Sequence, residues 1–273
     1  MNRRAIRAIA MKDLRVVANN KGVTIPLIIA PLILMVGLPA LVGLAPSLAA
    51  SMPGTPLNGL DTFIESMPDS LLQTVAGYDE MQTMIVLALV YLFAPLFLVL
   101  PMMVASVIAA DSFAGEKERK TLEALLYTPT SDGDLFVGKL LAAWLPALAV
   151  ALLGFVAYGL VANLAAWPIM GEIFFPNLMW LVLVFWVAPA VAGLGLSTMV
   201  LVSVRAQGFQ DAYQIGGAVV IPIVLLLVAQ ATGVMYFSVG LVLLLGFVFW
   251  LIDAVLLWLG VRTFRRSQLA SRL

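Results

Sequence analysis

The chain contains no cysteine and no histidine, and only 11% of its 273 residues are charged. The absence of cysteine excludes disulfides and thiol chemistry, and the absence of histidine removes the most common metal ligand and general base. The formal net charge is zero, so there is no electrostatic attraction toward nucleic acid. These absences argue against metalloenzymes, acyl-transfer enzymes and nucleic-acid-binding proteins.

Long hydrophobic runs dominate what is present. Hydrophobic residues make up 63% of the chain, whereas a soluble domain carries about a quarter charged residues, so the solvent must be lipid. A helix needs roughly 20 apolar residues to cross about 30 Å of hydrocarbon. The sequence therefore predicts an all-α integral membrane protein with a single transmembrane domain over residues 1–273. The predicted spans are residues 23–46, 82–110, 138–164, 177–203, 213–233 and 238–261.

The basic residues are confined to one side of these spans. With six spans, all fifteen Lys and Arg residues fall on the side that carries both termini, and the opposite loops carry only Asp and Glu. Positive charge marks the cytoplasmic face. We therefore expect a multi-pass protein of the plasma membrane, prokaryotic, with both termini cytoplasmic. The first apolar run is about twice as long as a signal-peptide core and holds three prolines, which favours a retained anchor over a cleaved signal.

The N-terminal segment has the pattern of an amphipathic helix. Ile6, Ala10, Leu14 and Val17 recur at helical spacing, and basic residues occupy the other faces. This pattern is typical of a helix that lies in the inner interface of the membrane, with its basic face toward anionic lipid head groups. The alternative is a solvated basic tail.

The loop at residues 47–81 is predicted to lie outside. It opens with a turn-rich linker, and Leu60, Phe63, Ile64 and Met67 then repeat at helical spacing. This spacing favours short helices that rest on the outer surface of the bundle. Its acidic residues fit a solvated face better than a cation site.

A charged segment interrupts the apolar runs after the second span. Residues 111–139 hold ten of the thirty charged residues. A helix from Asp111 to Tyr127 would continue the second span or turn sharply beneath it, with ion pairs from Glu116 to Arg119 and Lys120 along one face. A short helix joined rigidly to a membrane span can transmit a push from a cytoplasmic partner. The alternative is an ordinary charged loop.

The residues of this segment resemble the signature of type-two ATP-binding-cassette (ABC-2) exporter permeases. The matching run comprises Asp111, Ser112, Phe113, Glu116, Thr121-Leu122-Glu123, Leu125-Leu126, Thr128-Pro129 and Gly138-Lys139. A second cytoplasmic turn, Ser203 to Ala212, also resembles the family, while Ala114-Gly115 departs from its pattern.

The resemblance implies a permease that pairs as a homodimer or heterodimer and binds two copies of a cytoplasmic ATPase subunit through a coupling segment at 111–137. The coupling residues it implies are Asp111, Phe113, Glu116, Lys117, Arg119, Lys120, Thr121 and Glu123, with Arg205 and Asp211 as secondary contacts. The chain has no G-x-x-x-x-G-K-[ST] loop to hold phosphates. ATP and Mg would therefore be bound by the partner, and we expect no catalytic, cofactor or metal site in this chain.

Within the spans, Asp253 is the one ionisable residue and so a candidate functional group. It can serve as a proton or ion site, or pair with a polar group such as Gln214 or Ser203, and we favour the pairing. So few charges in the spans suit an amphiphilic or hydrophobic cargo. The alternatives to an exporter are a secondary transporter or channel that works alone, or an intramembrane enzyme or assembly factor. A lone acid and no histidine argue against the enzyme.

Overall fold

The computed structural model describes residues 2–50, 75–119 and 131–263, and every regular element in these ranges is helical. Six helices are long and apolar enough to cross a membrane, as the hydrophobic runs predict. The short helices predicted in the 47–81 loop fall largely on residues 51–74, which lie outside the described ranges.

Seven helices follow one another in the part of the chain that the structure describes. They are α1 (Arg3–Asn19); α2, formed by Lys21–Leu32, a π-helical turn at Ile33–Gly37 and Leu38–Ala50; α3 (Glu80–Glu118); α4 (Asp132–Met170); α5 (Leu178–Ser203); α6 (Phe209–Ala231); and α7 (Val239–Thr263).

Polar residues extend α3 and α4 beyond the predicted spans. The second span does not turn beneath the membrane after Asp111, because a π-helical turn at Asp111–Gly115 carries α3 on to Glu118. Ser131 caps α4 by accepting a hydrogen bond from the backbone N–H of Asp134 at 3.1 Å. The run Ser131-Asp132-Gly133-Asp134 is typical of a capping turn, so the local sequence accounts for this helix start.

Helices α3 and α5 form the centre of the bundle. In their most apolar stretches 72% and 67% of residues are buried, against 17–28% in the other four spanning helices. The outer helices expose large apolar side chains such as Leu153, Leu164 and Val255. Such exposure is unfavourable in water and favourable in lipid. The two central helices approach closely where Gly195 of α5 faces Ser106 and the backbone of α3.

Pro95 shapes the middle of α3. A proline has no N–H to offer the carbonyl four residues before it, here that of Tyr91. The helix widens into a π-helical turn at Leu87–Leu92, and neighbouring helices donate hydrogen bonds to three successive carbonyls. The donors are Tyr158 Oη for Leu89, Trp180 Nε1 for Val90 at 2.7 Å, and Gln230 Nε2 for Tyr91 at 2.6 Å. Backbone groups freed within lipid must find such partners.

The contact between α3 and α5 gives a prediction about stability. A Cβ added at Gly195 would lie 2.6 Å from Ser106 Oγ and 2.8 Å from the backbone oxygen of Met102. We expect Gly195→Ala to lower the free energy of unfolding by about 1–3 kcal/mol, because the central helices must separate. Thermal unfolding of the purified protein in detergent measures this change.

Gly240→Ala is the matched control, since Gly240 in α7 has no atom within 4 Å of the added Cβ. We expect this substitution to be neutral or to stabilise by about 0.5–1 kcal/mol through helix propensity. Equal destabilisation by both substitutions would show that the close approach of α3 to α5 does not determine the free energy of unfolding.

Candidate functional site

The described charged residues of the 111–139 segment meet α1 and α4 at one end of the bundle. We call this end, where α1, the end of α3, the start of α4 and the turn between α5 and α6 lie, the basic end. Its described basic side chains include Lys12, Lys117, Arg119, Lys139 and Arg205.

Lys139, on the first turns of α4, is completely buried. Its ammonium group lies 2.6 Å from Glu116 Oε2 and 3.5 Å from Asp13 Oδ2, and it donates to the backbone oxygen of Ser112 at 2.5 Å. It also lies 5.3 Å from the ring centre of Phe113, within the range of a cation–π contact. A buried ammonium is tolerated only with such partners.

Glu116 joins Lys139 to the N-terminal helix. Its other carboxylate oxygen accepts a hydrogen bond from Lys12 of α1, and Lys12 lies 3.2 Å from Asp13. Burial acts to lower the pKa of Lys12, but the hydrogen bond and negative charge of Glu116, together with the charge of Asp13, raise the pKa above its usual value. Lys12 is therefore held in its charged form.

Asp13 fixes α1 to the end of α3. It is buried and accepts a hydrogen bond from Ser112 Oγ. Two lysines and two carboxylates, Lys12, Lys139, Asp13 and Glu116, thus balance in charge. We call these four residues with Ser112 the charge cluster. It connects α1, α3 and α4.

Helix α1 reaches this position by packing on α4. Gly138 permits the contact, since a Cβ there would lie 3.0 Å from the side chain of Ile9. The buried face of α1 contains Ile6, Ile9, Asp13 and Val17. The predicted stripe was therefore wrong in its middle, where Ile9 and Asp13 are buried and Ala10 and Leu14 only partly so. These residues are buried because α1 packs against other helices of the protein and not against lipid alone.

Arg119 folds back onto Asp111 at the end of α3. Arg119 Nη1 donates to Asp111 Oδ1 at 3.0 Å, and this hydrogen bond raises the pKa of Arg119 above its ordinary value. Gly115 leaves room for the guanidinium, since a Cβ there would lie 3.2 Å from Nη2. The arginine side chain remains 41% exposed, whereas the carboxylate of Asp111 is buried.

The end of α3 also binds the turn from Ser203 to Ala212. Lys117 Nζ donates to the backbone oxygen of Ala206 at 3.0 Å, and Glu118 Oε2 accepts from the N–H of Phe209 at 2.9 Å. Asp211 stabilises the turn itself by accepting from the N–H of Gln207 at 2.9 Å. Arg205 is exposed beside it. The two segments that resemble the permease signature therefore meet in space.

Several sequence-based expectations need correction here. Glu116 pairs with Lys12 and Lys139 rather than with Arg119, because it points into the bundle and Arg119 turns toward Asp111. Lys120, Thr121 and Glu123 lie outside the described residues. Asp13 and Lys12 were missed, although Asp13 is the only acidic residue among the first sixty and shares the stripe of Ile6, Ile9 and Val17.

Asp253 lies apart from the charge cluster. It is buried between α7 and α5, where its Oδ1 lies 3.4 Å from Ser197 Oγ. The favoured pairing with a polar group of a neighbouring helix is therefore present, but the partner is Ser197 and not Gln214 or Ser203. Gly193 opens the space, because a Cβ there would meet Asp253 Oδ2 at 2.3 Å. Among the described residues no group of three or more Asp or Glu side chains is arranged to hold a metal ion.

The burial of Lys139 gives a second prediction. Lys139→Met removes one partner of a buried ion pair and leaves Glu116 and Asp13 with Lys12 alone. We expect the free energy of unfolding to fall by about 3–5 kcal/mol. Lys21→Met, which removes an exposed lysine before α2, is the control and should change it by less than about 1 kcal/mol. Thermal unfolding in detergent compares the two, and similar melting temperatures would contradict a structural role for the cluster.

Comparison with known proteins places this arrangement in a family. A family model described as ABC-2 family transporter protein matches residues 7–267. No curated protein and no solved structure matches the chain. The matched region includes most of α1, the six spanning helices and both segments that meet at the basic end. The chain therefore belongs to the ABC-2 family of transporters, as a membrane-embedded component of an ABC-type transporter.

Proposed function

We propose that this chain is the permease subunit of an exporter driven by a separately encoded ATP-binding-cassette ATPase. Two ATPase copies and a second permease, identical or homologous, complete the complex. Family membership supports this assignment. ATP and Mg are bound by the ATPase, since the chain has no phosphate-binding loop of its own.

The observation that carries the proposal is the rigid attachment of the tip of α3. Glu116 is fixed to α1 and α4 by buried ion pairs, and the next two residues, Lys117 and Glu118, are bonded to the turn between α5 and α6. A displacement applied to this tip is therefore shared by several spanning helices at once. That is the mechanical property that coupling to an ATPase requires.

Burial divides the proposed coupling residues into two groups. Asp111, Phe113 and Glu116 are buried within the chain, and we assign them the role of orienting the tip. Lys117 and Arg119 lie at its surface and contact the ATPase. By the family pattern we assign the same contact to Lys120, Thr121 and Glu123, which lie outside the described residues, and a second contact to Arg205 and Asp211 at the neighbouring turn.

The charge distribution supports a cytoplasmic position for the basic end. The exposed side chains of α1 include Arg3, Arg4, Arg7 and Arg15, which suit the anionic head groups of the inner leaflet. We therefore assign the protein to a prokaryotic plasma membrane with both termini in the cytoplasm and α1 in the interface. Transport is outward by analogy with the family pattern.

Site-directed labelling tests this orientation. The natural chain has no cysteine, so Arg119→Cys and Gly77→Cys each introduce a single thiol, at opposite ends of α3. We expect a membrane-impermeant maleimide to label Gly77→Cys in intact cells, and to label Arg119→Cys only after the membrane is permeabilised. Labelling of Arg119→Cys in intact cells would show that the basic end faces outward. A cytoplasmic ATPase could then not contact it.

The ATPase contact is tested by copurification with the ATP-binding-cassette subunit encoded nearest to this chain. We expect Arg119→Ala to weaken the complex by about tenfold, since an arginine at the centre of an interface contributes more than about 1 kcal/mol. Arg15→Ala, which removes an exposed arginine of α1, is the matched control and should leave the complex intact. Solute movement by the isolated chain without nucleotide would instead identify a transporter that works alone.

A further inference from the structure

At the end of the bundle opposite the basic end, α3 and α6 enclose a cavity of about 210 Å³. Apolar side chains of α3, including Met84, Leu87, Ala88 and Leu92, form one wall. Gln230 at the end of α6 and Tyr236 in the following loop form the other. None of the described residues that line it is charged.

The cavity lies at the depth of the hydrocarbon and opens sideways. Leu92 is twelve residues into α3 from Glu80, which corresponds to about 18 Å along the helix axis. Its side chain is partly exposed, as is Ala231 on the facing wall. A ligand therefore reaches the cavity from the lipid rather than from water.

Gln230 gives the cavity its polarity. The residue is 2% exposed, and its Nε2 donates to the backbone oxygen of Tyr91 at 2.6 Å. A carbonyl oxygen only accepts, so the amide must present Nε2 to it and turn Oε1 the other way. Among the described residues, Oε1 has no hydrogen-bond partner. A buried acceptor in this state calls for a donor that the described residues do not supply.

Tyr236 contributes a second polar atom to the residues that line the cavity. Its hydroxyl also lacks a partner among the described residues. Burial raises the pKa of Tyr236, so the group stays a neutral phenol that can donate or accept. Both oxygens are covered by neighbouring atoms in this structure, so a donor bonds to them after the side chains around the cavity shift.

We propose that this cavity binds an uncharged, single-chain amphiphile whose head group carries a hydrogen-bond donor, such as a hydroxyl or an amide. The apolar wall of α3 takes the chain, Gln230 Oε1 accepts from the head group, and Tyr236 Oη provides a second bond. The absence of charge from the lining disfavours carboxylates and phosphates. The volume lies below the roughly 300–1,000 Å³ of pockets for drug-sized ligands, which fits one chain and not a bulky ring system.

Photolabelling of the full-length protein in nanodiscs tests the proposal without nucleotide or ATPase, so its outcome is independent of the proposed coupling. The probe is dodecanol with a diazirine in the chain. We expect crosslinks to concentrate on residues 84–92 and 230–236. Crosslinks spread evenly over the lipid-facing surfaces of α2, α4 and α7 would overturn the proposal.

Two unlabelled competitors distinguish a requirement for a hydrogen-bond donor from binding by the apolar chain alone. Dodecanol and its methyl ether have the same chain, but the ether cannot donate. We expect the ether to compete about fivefold less well, the effect of one lost hydrogen bond. Equal competition would show that the cavity binds any alkyl chain, whether or not its head group can donate a hydrogen bond. Because this comparison uses the unaltered protein, it does not depend on a variant that folds.

A variant locates the site. Ala88→Phe fills the space beside Gln230 and should abolish the crosslinks to both segments. Tyr213→Phe removes a hydroxyl near the other end of α6, where the side chain is exposed, and should leave labelling unchanged. Retained labelling in Ala88→Phe, checked for an unaltered melting temperature, would exclude this cavity.

Discussion

A buried lysine determines how the basic end of this bundle is built. Lys139 has no exposed surface, so its charge must be balanced within the chain, and the balancing carboxylates come from two other helices: Asp13 of α1 and Glu116 of α3. A complete buried ion pair stabilises a protein little more than an apolar contact in its place would. Removal of one partner, however, leaves the other charge uncompensated. The cluster therefore makes α1 part of the bundle rather than an independent basic tail. It also explains why the end of α3, rich in charge, stays helical through a π-helical turn instead of separating from the membrane span.

The same rule operates in the middle of α3 with backbone groups in place of charges. Pro95 frees carbonyl oxygens within the membrane, and Tyr158, Trp180 and Gln230 each donate to one of them. These donors belong to three different helices, so the requirement to satisfy three carbonyls positions α4, α5 and α6 around α3. Helix α3 is thus held by polar contacts at its middle and at the basic end, and by close packing at Gly195 between them. A motion imposed at the basic end has a continuous, tightly packed helix along which to travel.

What the sequence predicts and what it misses follow from the range of the interactions. The spans and the cap at Ser131 depend on neighbours in sequence, and the structure shows both; the need to satisfy the carbonyls freed near Pro95 is equally local. The partners of Glu116 and Asp253 depend on other helices. Spacing along one helix suggests Arg119 or Lys120 for Glu116. Lys120 lies outside the described residues, and the two partners that the structure shows, Lys12 and Lys139, lie 104 and 23 residues away. Ser197 pairs with Asp253 because Gly193 brings α5 close to α7. Asp13 was detectable in principle, as a lone acid within an apolar stripe.

The burial pattern assigns different energetic roles to adjacent residues of the coupling segment. Asp111 and Glu116 are enclosed by other helices, where a single substitution leaves an unpaired buried group and costs several kcal/mol, about 3–5 for a broken ion pair. Arg119, three residues after Glu116, is 41% exposed, but it balances the buried carboxylate of Asp111. The proposed ATPase contact can therefore be altered at Lys117, which pairs with a backbone oxygen, with less loss of stability than at Arg119. The buried residues behind it hold the geometry through which that contact acts on the spanning helices.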